Sequence, residues 1–312
     1  MKKETVAAAI ALPFITATGL LDASERLYKF VFNRVNEVPP TSEEKQKYAA
    51  DYYGYVDWLH TQPTRIWHLN GNTDEQLSAI FVPPADQESN DTVIIAHGYK
   101  GNGETMANYA KMFHELGFNV LLPDSRAHGN SAGKYITFGW LDRLDYLDWI
   151  TKIINYGGAD TDCALRSFYG WGATVEMLSG EKLPEQVKLI IADCGYSDIN
   201  SELTYLLKQL YHMPKYPIVP AVSLINKRRQ GFNLKQVSSI NQLANNKLPI
   251  FFIHGEKDTY VPTEMVNENY AATKGPKQKW IVPNAAHAES FWINPEEYRR
   301  RVKEFLDEYL IE

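Results

Sequence analysis

The sequence has little cysteine, with only Cys163 and Cys194 in 312 residues. We expect Cys163 at the beginning of one strand and Cys194 at the end of the next. In a parallel sheet these positions lie at opposite edges, several residues of about 3.3 Å each apart, which is too far for a disulfide. Neither cysteine has a Cys or His neighbour at metal-ligand spacing, so both are predicted to be buried thiols and no metal site is predicted.

The chain also lacks an excess of positive charge. It carries 32 Lys and Arg against 38 Asp and Glu, a formal net charge of -6. A nucleic-acid-binding protein usually presents a large basic surface, so no nucleic-acid partner is predicted. The basic cluster "KRR" at residues 227–229 is interpreted as the solvated end of a helix.

Long apolar runs are scarce, and the one that bears on localisation lies near the start. Residues 5–21 contain no charged side chain, but they include Pro13 and Gly19, and their length is at the short end for a membrane span. We interpret residues 1–24 as a secretory signal or signal anchor, which predicts a secreted protein or one held at the cell membrane through its N-terminus with an extracellular domain. The alternative is a buried amphipathic helix in a cytoplasmic protein.

No internal repeat or low-complexity tract interrupts the rest of the chain, so we predict one domain over residues 63–312 after a helical lead-in over residues 25–62. "TRIWHL" and "EQLSAIFVPP" flank the turn-rich "NGNTD" and predict a hairpin. Short apolar runs then alternate with helical segments, which predicts an α/β fold with buried parallel strands and right-handed crossovers. The alternation stops over about 200–247, a segment predicted to be a small helical lid insertion.

Three loops at the predicted carboxyl ends of strands hold polar groups, and ligands bind at this edge of open α/β sheets. "HGYKGNGE" at residues 97–104 offers the Tyr99 N–H as a donor to a developing oxyanion. Asp258 follows the penultimate strand and His287 follows the last. Alone, each is explained as a turn or loop residue, but the order of acid and then histidine predicts a catalytic base oriented by a carboxylate.

These loops belong to segments that resemble the α/β-hydrolases. The matching stretches include "IIAHGYKGNGETM", "GFNVLLPDSRAHGNSAGKYITFGW", "FFIHGEKDTYVPTEM" and "NAAHAESFWINPEEY", and they cover most of the chain from about Asp57 onward. Within the superfamily the chain is similar to bacterial membrane-anchored or extracellular hydrolases related to serine aminopeptidases and prolyl-oligopeptidase-like esterases. The resemblance implies a mostly parallel eight-stranded sheet with helices on both faces.

The resemblance also implies roles for individual residues. Asp258 is the implied triad acid, His287 the general base and Tyr99 an oxyanion-hole donor. Asp124 and His128, together with Arg126 between them, are implied to brace the site through hydrogen bonds rather than to react.

The departure from the family pattern lies in "RSFYGWGATVEML", residues 166–178, where the family has G-x-S-x-G on a strained strand-to-helix turn. An ungapped alignment places Tyr169 at the nucleophile position, although tyrosine, with a pKa of about 10, is a poor acyl-transfer nucleophile, and Trp171 would crowd the turn. A second alignment leaves out several residues before Gly172, so that no nucleophile exists. A third assigns the role to Ser167, two residues early. The three interpretations stay open.

The function favoured by these residues is ester or amide hydrolysis through an acyl-enzyme, with Ser167 as nucleophile and His287 as the base that Asp258 orients. The implied substrate is a small ester or peptide-like molecule, and no cofactor is implied. The alternative is a catalytically inactive α/β-hydrolase fold that works as a binding or scaffolding protein at the cell surface.

Overall fold

The computed structural model describes residues 17–34, 43–84, 91–157, 163–167 and 172–310. The strands among these residues are β1 Arg65–Asn70, β2 Gln76–Val82, β3 Thr92–Ala96, β4 Asn119–Pro123, β5 Cys163–Ser167, β6 Val187–Asp193, β7 Ile250–Gly255 and β8 Lys277–Val282. The α-helices are α1 Ala17–Phe32, α2 Ala49–Thr61, α3 Ala107–His114, α4 Asp142–Gly157, α5 Gly172–Leu178, α6 Ile199–Tyr211, α7 Ile218–Gln230, α8 Ser239–Leu243, α9 Thr263–Ala272, α10 Ser290–Ile293 and α11 Pro295–Tyr309.

The strands pair in the order β1-β2-β4-β3-β5-β6-β7-β8. β1 and β2 form the predicted antiparallel hairpin, and β2 is also antiparallel to β4. The remaining pairings are parallel, and β5 lies between β3 and β6. Helices separate the parallel strands along the chain, so the predicted α/β class is confirmed.

Side chains of successive residues in the central strands are buried on opposite faces of the sheet. In β3, Val93 and Ile95 belong to one buried cluster, whereas Ile94 and Ala96 belong to another. This separation follows from the two-residue period of a strand, and it explains why these strands read as continuous apolar runs rather than as alternating ones. Residues of α2, α3 and α11 complete the first cluster, and residues of α4, α5 and α9 complete the second.

A third apolar cluster lies under a helical cap at the carboxyl edge of the sheet. The insertion predicted over about 200–247 supplies most of α6 together with α7 and α8. The sequence analysis missed that α1 joins them: Tyr28 and Phe32 are buried in this cluster with Leu203 and Val222. The Tyr28 hydroxyl donates to Asn226 Oδ1 at 3.3 Å, which ties α1 to α7.

The structure bears on only part of the predicted signal or anchor segment at residues 1–24, because residues 1–16 lie outside the described residues. The boundary expected at residues 24 and 25 falls inside α1. Over the part of the chain that the structure describes, no helix combines the length and apolarity needed to cross a membrane. The basic cluster at residues 227–229 forms the last turn of α7, where Arg229 pairs with Glu25 of α1 at 2.5 Å.

Two glycines in helices differ sharply in their surroundings, and this difference predicts opposite effects of alanine. A Cβ on Gly172, at the start of α5, would lie 2.6 Å from both Asp193 O and Gly195 N, whereas a Cβ on Gly54 in α2 meets nothing within 4 Å. We expect Gly172→Ala to lower the free energy of unfolding by about 1–3 kcal/mol, because backbone must move. Gly54→Ala should raise it by about 0.5–1 kcal/mol. Urea unfolding at pH 7 measures both; equal midpoints would contradict the packing described for α5.

Candidate active site

Asp258 and His287 meet at the carboxyl edge of the sheet. Asp258 lies three residues beyond the end of β7, and His287 lies in the loop between β8 and α10. The His287 Nδ1 and Asp258 Oδ2 atoms are 2.8 Å apart, with Asp258 buried and the His287 side chain one-fifth exposed. The structure therefore brings together the two residues that the sequence predicted as acid and base, in the hydrogen-bonded arrangement that the chemistry requires.

Asp258 is held as a carboxylate by its neighbours. Its Oδ1 accepts hydrogen bonds from the N–H groups of Tyr260 at 2.9 Å and Val261 at 2.8 Å. Burial acts to raise the pKa of Asp258, but the charges and hydrogen bonds of His287 and His254 outweigh it and hold that pKa below its ordinary value. The ionised acid fixes the orientation of the His287 ring, so that Nδ1 donates and Nε2 is the basic nitrogen.

A second histidine at this carboxylate was missed as a site residue. His254, buried near the end of β7, has its Nε2 at 3.2 Å from Asp258 Oδ2 and at 2.9 Å from Val261 O. Burial lowers the pKa of His254, and the hydrogen bond and charge of Asp258 more than reverse this, so the net shift is upward. The sequence signal was the spacing His-x-x-x-Asp across the end of a strand, which closes a tight turn around the acid.

Cys194 is the other neighbour that the sequence did not place here. It is a buried free cysteine directly after β6, as predicted, and its backbone has φ of 56°. Its Sγ and one ligand atom each of Asp258 and His287 all lie within 4.8 Å of one another, so these three residues could hold a metal ion. Burial and the nearby Asp193 and Asp258 raise the pKa of the Cys194 thiol well above its ordinary value, so it is a neutral thiol here.

The loop after β3 carries the predicted oxyanion donor, Tyr99, in a turn closed by the Gly101 N–H and Gly98 O at 2.9 Å. His128 supports this turn through hydrogen bonds. Its Nε2 accepts from the Lys100 N–H at 3.2 Å, and its Nδ1 lies 2.7 Å from Arg126 O. This pattern requires the neutral imidazole. Burial, aided by the neighbouring His97 ring, lowers the pKa of His128 to about 3.

The predicted supporting loop makes the contacts expected of a brace. Asp124 accepts from the Gly103 N–H and the Asn130 N–H, each at 2.7 Å, and so links this loop to the one that carries Tyr99. Arg126 forms a two-pronged ion pair with Asp145 of α4, at 2.5 Å from Nε and 2.6 Å from Nη2. Such bidentate pairs fix orientation as well as charge.

Of Ser167, the predicted nucleophile, the structure describes the backbone. Ser167 is the last residue of β5, where its backbone is in register with Ala96 of β3 and Ala192 of β6. Tyr169 and Trp171 lie outside the described residues, as does the side chain of Ser167. By register, Ser167 lies two residues before the level of Cys194, about 6.6 Å back from it along the strand direction.

An apolar pocket opens beside the Asp258–His287 pair, under the helical cap. It encloses about 760 Å³ of space free of atoms, its open mouth included, and its walls come from α1, α6 and the loops that bear Tyr99 and Tyr260. The Tyr260 ring lies 4.9 Å from the His287 ring. Phe30 and Leu210, which are 60% and 59% exposed, form an apolar rim. Its largely apolar lining has the character of a small-molecule site.

No protein-family model matches the chain. It is 30% identical over 223 residues to the uncharacterized protein YqkD of Bacillus subtilis, across 72% of this chain and 73% of YqkD. It is 24% identical over 246 residues to the uncharacterized protein YfhR of Escherichia coli K12, across 74% of this chain and 76% of YfhR. This chain therefore belongs to the same family as YqkD.

Solved structures give the fold of this family. The Pyrococcus furiosus esterase Pf2001 superposes with a TM-score of 0.66 at 23% identity, over 89% of this chain and 99% of the esterase. An α/β serine hydrolase homologue from Coxiella burnetii superposes with a TM-score of 0.51 at 17% identity, over 78% and 97% of the two chains. The chain therefore has the α/β-hydrolase fold. In this hydrolase fold, Asp258 and His287 occupy the loops in which the sequence resemblance expects the triad acid and base.

The neutral His128 predicts acid sensitivity of the hydrolase domain. An unfolded histidine binds a proton near pH 6.5, whereas the pKa of folded His128 is about 3. Between these values the unfolded state holds more protons, so the free energy of unfolding falls as the pH is lowered. His128→Gln keeps an acceptor for the Lys100 N–H but cannot titrate. Between pH 7 and pH 5 we expect the wild type to lose about 2 kcal/mol more than this variant.

Urea unfolding at the two pH values measures this difference. His68→Gln, at an exposed histidine of β1, is the matched control and should lose as much stability as the wild type. Equal losses in wild type and His128→Gln would show that His128 is not held neutral.

Proposed function

We propose that this protein hydrolyses small ester or peptide-like acyl substrates through an acyl-enzyme. The observation that carries the proposal is the 2.8 Å contact between His287 Nδ1 and Asp258 Oδ2 at the edge of an apolar pocket. A histidine fixed in this way can take a proton from a hydroxyl nucleophile at Nε2 and later return it to a leaving group. The fold that the chain shares with esterases supports the same reaction type.

In the proposed reaction, the Ser167 hydroxyl attacks the acyl carbon of the substrate while its proton passes to His287 Nε2. Backbone N–H groups of the loop that bears Tyr99 stabilise the negative charge on the carbonyl oxygen. The tetrahedral intermediate expels the alcohol or amine, which takes the proton from His287. Water then attacks the acyl-enzyme with the same proton transfers and releases the carboxylic acid and Ser167.

The helical cap suits the acyl part of such a substrate. Residues of α6 and of α1 both line the pocket. We infer that the cap over about 200–247 acts as the lid that selects an apolar acyl group, because most of the wall is aliphatic or aromatic and would favour burial of such a group.

The position of Ser167 favours a second candidate, a hydrolase fold that binds ligands without turnover. Its backbone is in register with Ala192, two residues before Cys194, and Cys194 is the residue whose Sγ lies near the His287 ring. A reacting group misplaced by even ~1 Å can lose about 100-fold in rate. In this second candidate, Asp258 and His287 remain paired in a protein that binds acyl compounds without hydrolysing them.

Hydrolysis of p-nitrophenyl butyrate by purified protein separates the two candidates. We expect His287→Ala and Ser167→Ala each to lower kcat by up to about a millionfold, as removal of one triad member does elsewhere. Ser201→Ala, at an exposed serine of α6, should keep the wild-type rate. The residual rate should be similar in both disabled variants, because a triad acts as one unit.

Labelling with a fluorophosphonate, followed by mass-spectrometric site mapping, tests the nucleophile directly. Modification of Ser167 that depends on His287 supports the acyl-enzyme. Folded protein that takes no label, with ester hydrolysis at the same rate in every variant, favours the binding protein. Hydrolysis that arises only after a small-x-Ser-x-small sequence is engineered into residues 167–171 would also favour it.

We further propose that residues 1–24 direct the chain to the cell membrane or out of the cell. The uncharged run at residues 5–21 motivates this proposal. Fusing residues 1–24 to a reporter enzyme that matures only outside the cytoplasm tests it without cutting α1 out of the folded domain. Reporter activity supports export, and a fusion that stays inactive in the soluble cytosolic fraction counts against it.

A further inference from the structure

One face of α6 lines the apolar pocket, and one residue on that face is acidic. The lining positions are Ile199, Glu202, Leu203, Leu206, Leu207 and Leu210. Their spacing of i, i+3, i+4, i+7, i+8 and i+11 is that of a single helical stripe, which in an amphipathic helix is apolar throughout. Glu202 breaks this pattern at a position where leucine would complete the wall.

Glu202 is buried without a partner. The residue is 4% exposed, and neither carboxyl oxygen has a hydrogen-bond partner among the described residues. Burial, and then the nearby Asp258 and Asp198, raise the pKa of Glu202 to about 9. The side chain is therefore a neutral carboxylic acid near pH 7, with one O–H donor and acceptor oxygens, on a residue that lines an apolar space.

An unpaired buried carboxyl opposes folding, because it loses its hydrogen bonds to water and gains none in return. Two other polar groups of the wall are already used: the Tyr99 hydroxyl donates to Val31 O at 2.8 Å and the Tyr196 hydroxyl to Phe138 O at 2.5 Å. Glu202 differs from both, because neither of its carboxyl oxygens has a partner among the described residues.

We propose that the pocket binds a neutral apolar chain bearing a hydroxyl or amide group, and that Glu202 hydrogen-bonds this group. A hydroxyl offers one donor and one acceptor, which matches a carboxylic acid. An ammonium group would bring three N–H donors and a charge into a largely apolar wall, so most of its hydrogen bonds would be lost.

The pocket joins this recognition to the proposed chemistry. Tyr260 and Val261 lie two and three residues after Asp258 and line the pocket together with Glu202. Insofar as it names a substrate, the inference rests on the proposed acyl hydrolysis: the acyl chain would carry its polar group to Glu202 while its carbonyl carbon lies at His287. Binding itself needs no nucleophile, so it can be measured whether or not the protein turns over esters.

Isothermal titration calorimetry with three eight-carbon probes tests the inference on the full chain. The probes are 1-octanol, octylammonium and octanoate, which share one apolar chain and differ in head group. We expect the wild type to bind 1-octanol about tenfold more tightly than either ion. Glu202→Gln should stay within about threefold of the wild type for 1-octanol, because an amide also donates and accepts. Glu202→Leu should bind it about 3- to 10-fold more weakly, the loss of one hydrogen bond.

Two controls separate a binding effect from a folding effect. Glu268→Gln, at an exposed glutamate of α9, should bind all probes as the wild type does. Glu202→Leu should have a melting temperature equal to or above that of the wild type, since it removes an unpaired polar group. If Glu202→Leu does not fold, Glu202→Met, of similar length, replaces it in the comparison.

Three results would overturn the inference. Tightest binding of octylammonium or octanoate would show a site for ions. Equal affinity of wild type and a folded apolar variant for 1-octanol would show that Glu202 makes no contact. Absence of binding by any probe would show that the pocket does not take such chains. A protein that binds 1-octanol through Glu202 but fails to hydrolyse esters would keep this inference while losing the proposed activity.

Discussion

The need to cover both faces of the central parallel strands governs this structure. Along β3 the residues alternate between two buried clusters, so helices must lie on both sides of the sheet. Helical crossovers between parallel strands return the chain to the same starting edge each time, and every strand therefore ends at the opposite edge. Tyr99, Asp258 and His287 meet there because each follows the end of such a strand or the loop beyond it.

Asp258 is the ionised acid of the Asp258–His287 pair, with four hydrogen-bonding partners around its two oxygens. Burial shifts the pKa values of several titratable groups near it towards the uncharged form: the Cys194 thiol, the Glu202 carboxyl and the His128 ring. A fixed negative charge in poorly solvated surroundings interacts strongly with His287, and this interaction orients the base.

The sequence predicts what depends on local periodicity and chain order. Apolar runs mark the strands, the stripe through Tyr298, Val302 and Phe305 marks α11, and the order of Asp258 and His287 marks the pair. Contacts between segments far apart in the chain carry no such signal: the approach of Cys194 to His287, and the wall that Glu202 forms together with α1, arise only when separate segments pack. The strand-to-helix junction at β5 resists prediction for another reason, since its residues fit the family pattern in none of the three alignments.

The helix α1 has a consequence for how the chain folds during its synthesis. Its buried face, with Tyr28 and Phe32, packs on α6 and α7, which come after the whole first half of the sheet. At synthesis rates of about 5–20 residues per second, that face stays exposed for about ten seconds or more before its partners leave the ribosome. The pocket wall is thus built from the earliest and some of the later parts of the chain. The pocket therefore forms only when folding is complete. A ligand that binds in it stabilises the fully folded state by mass action.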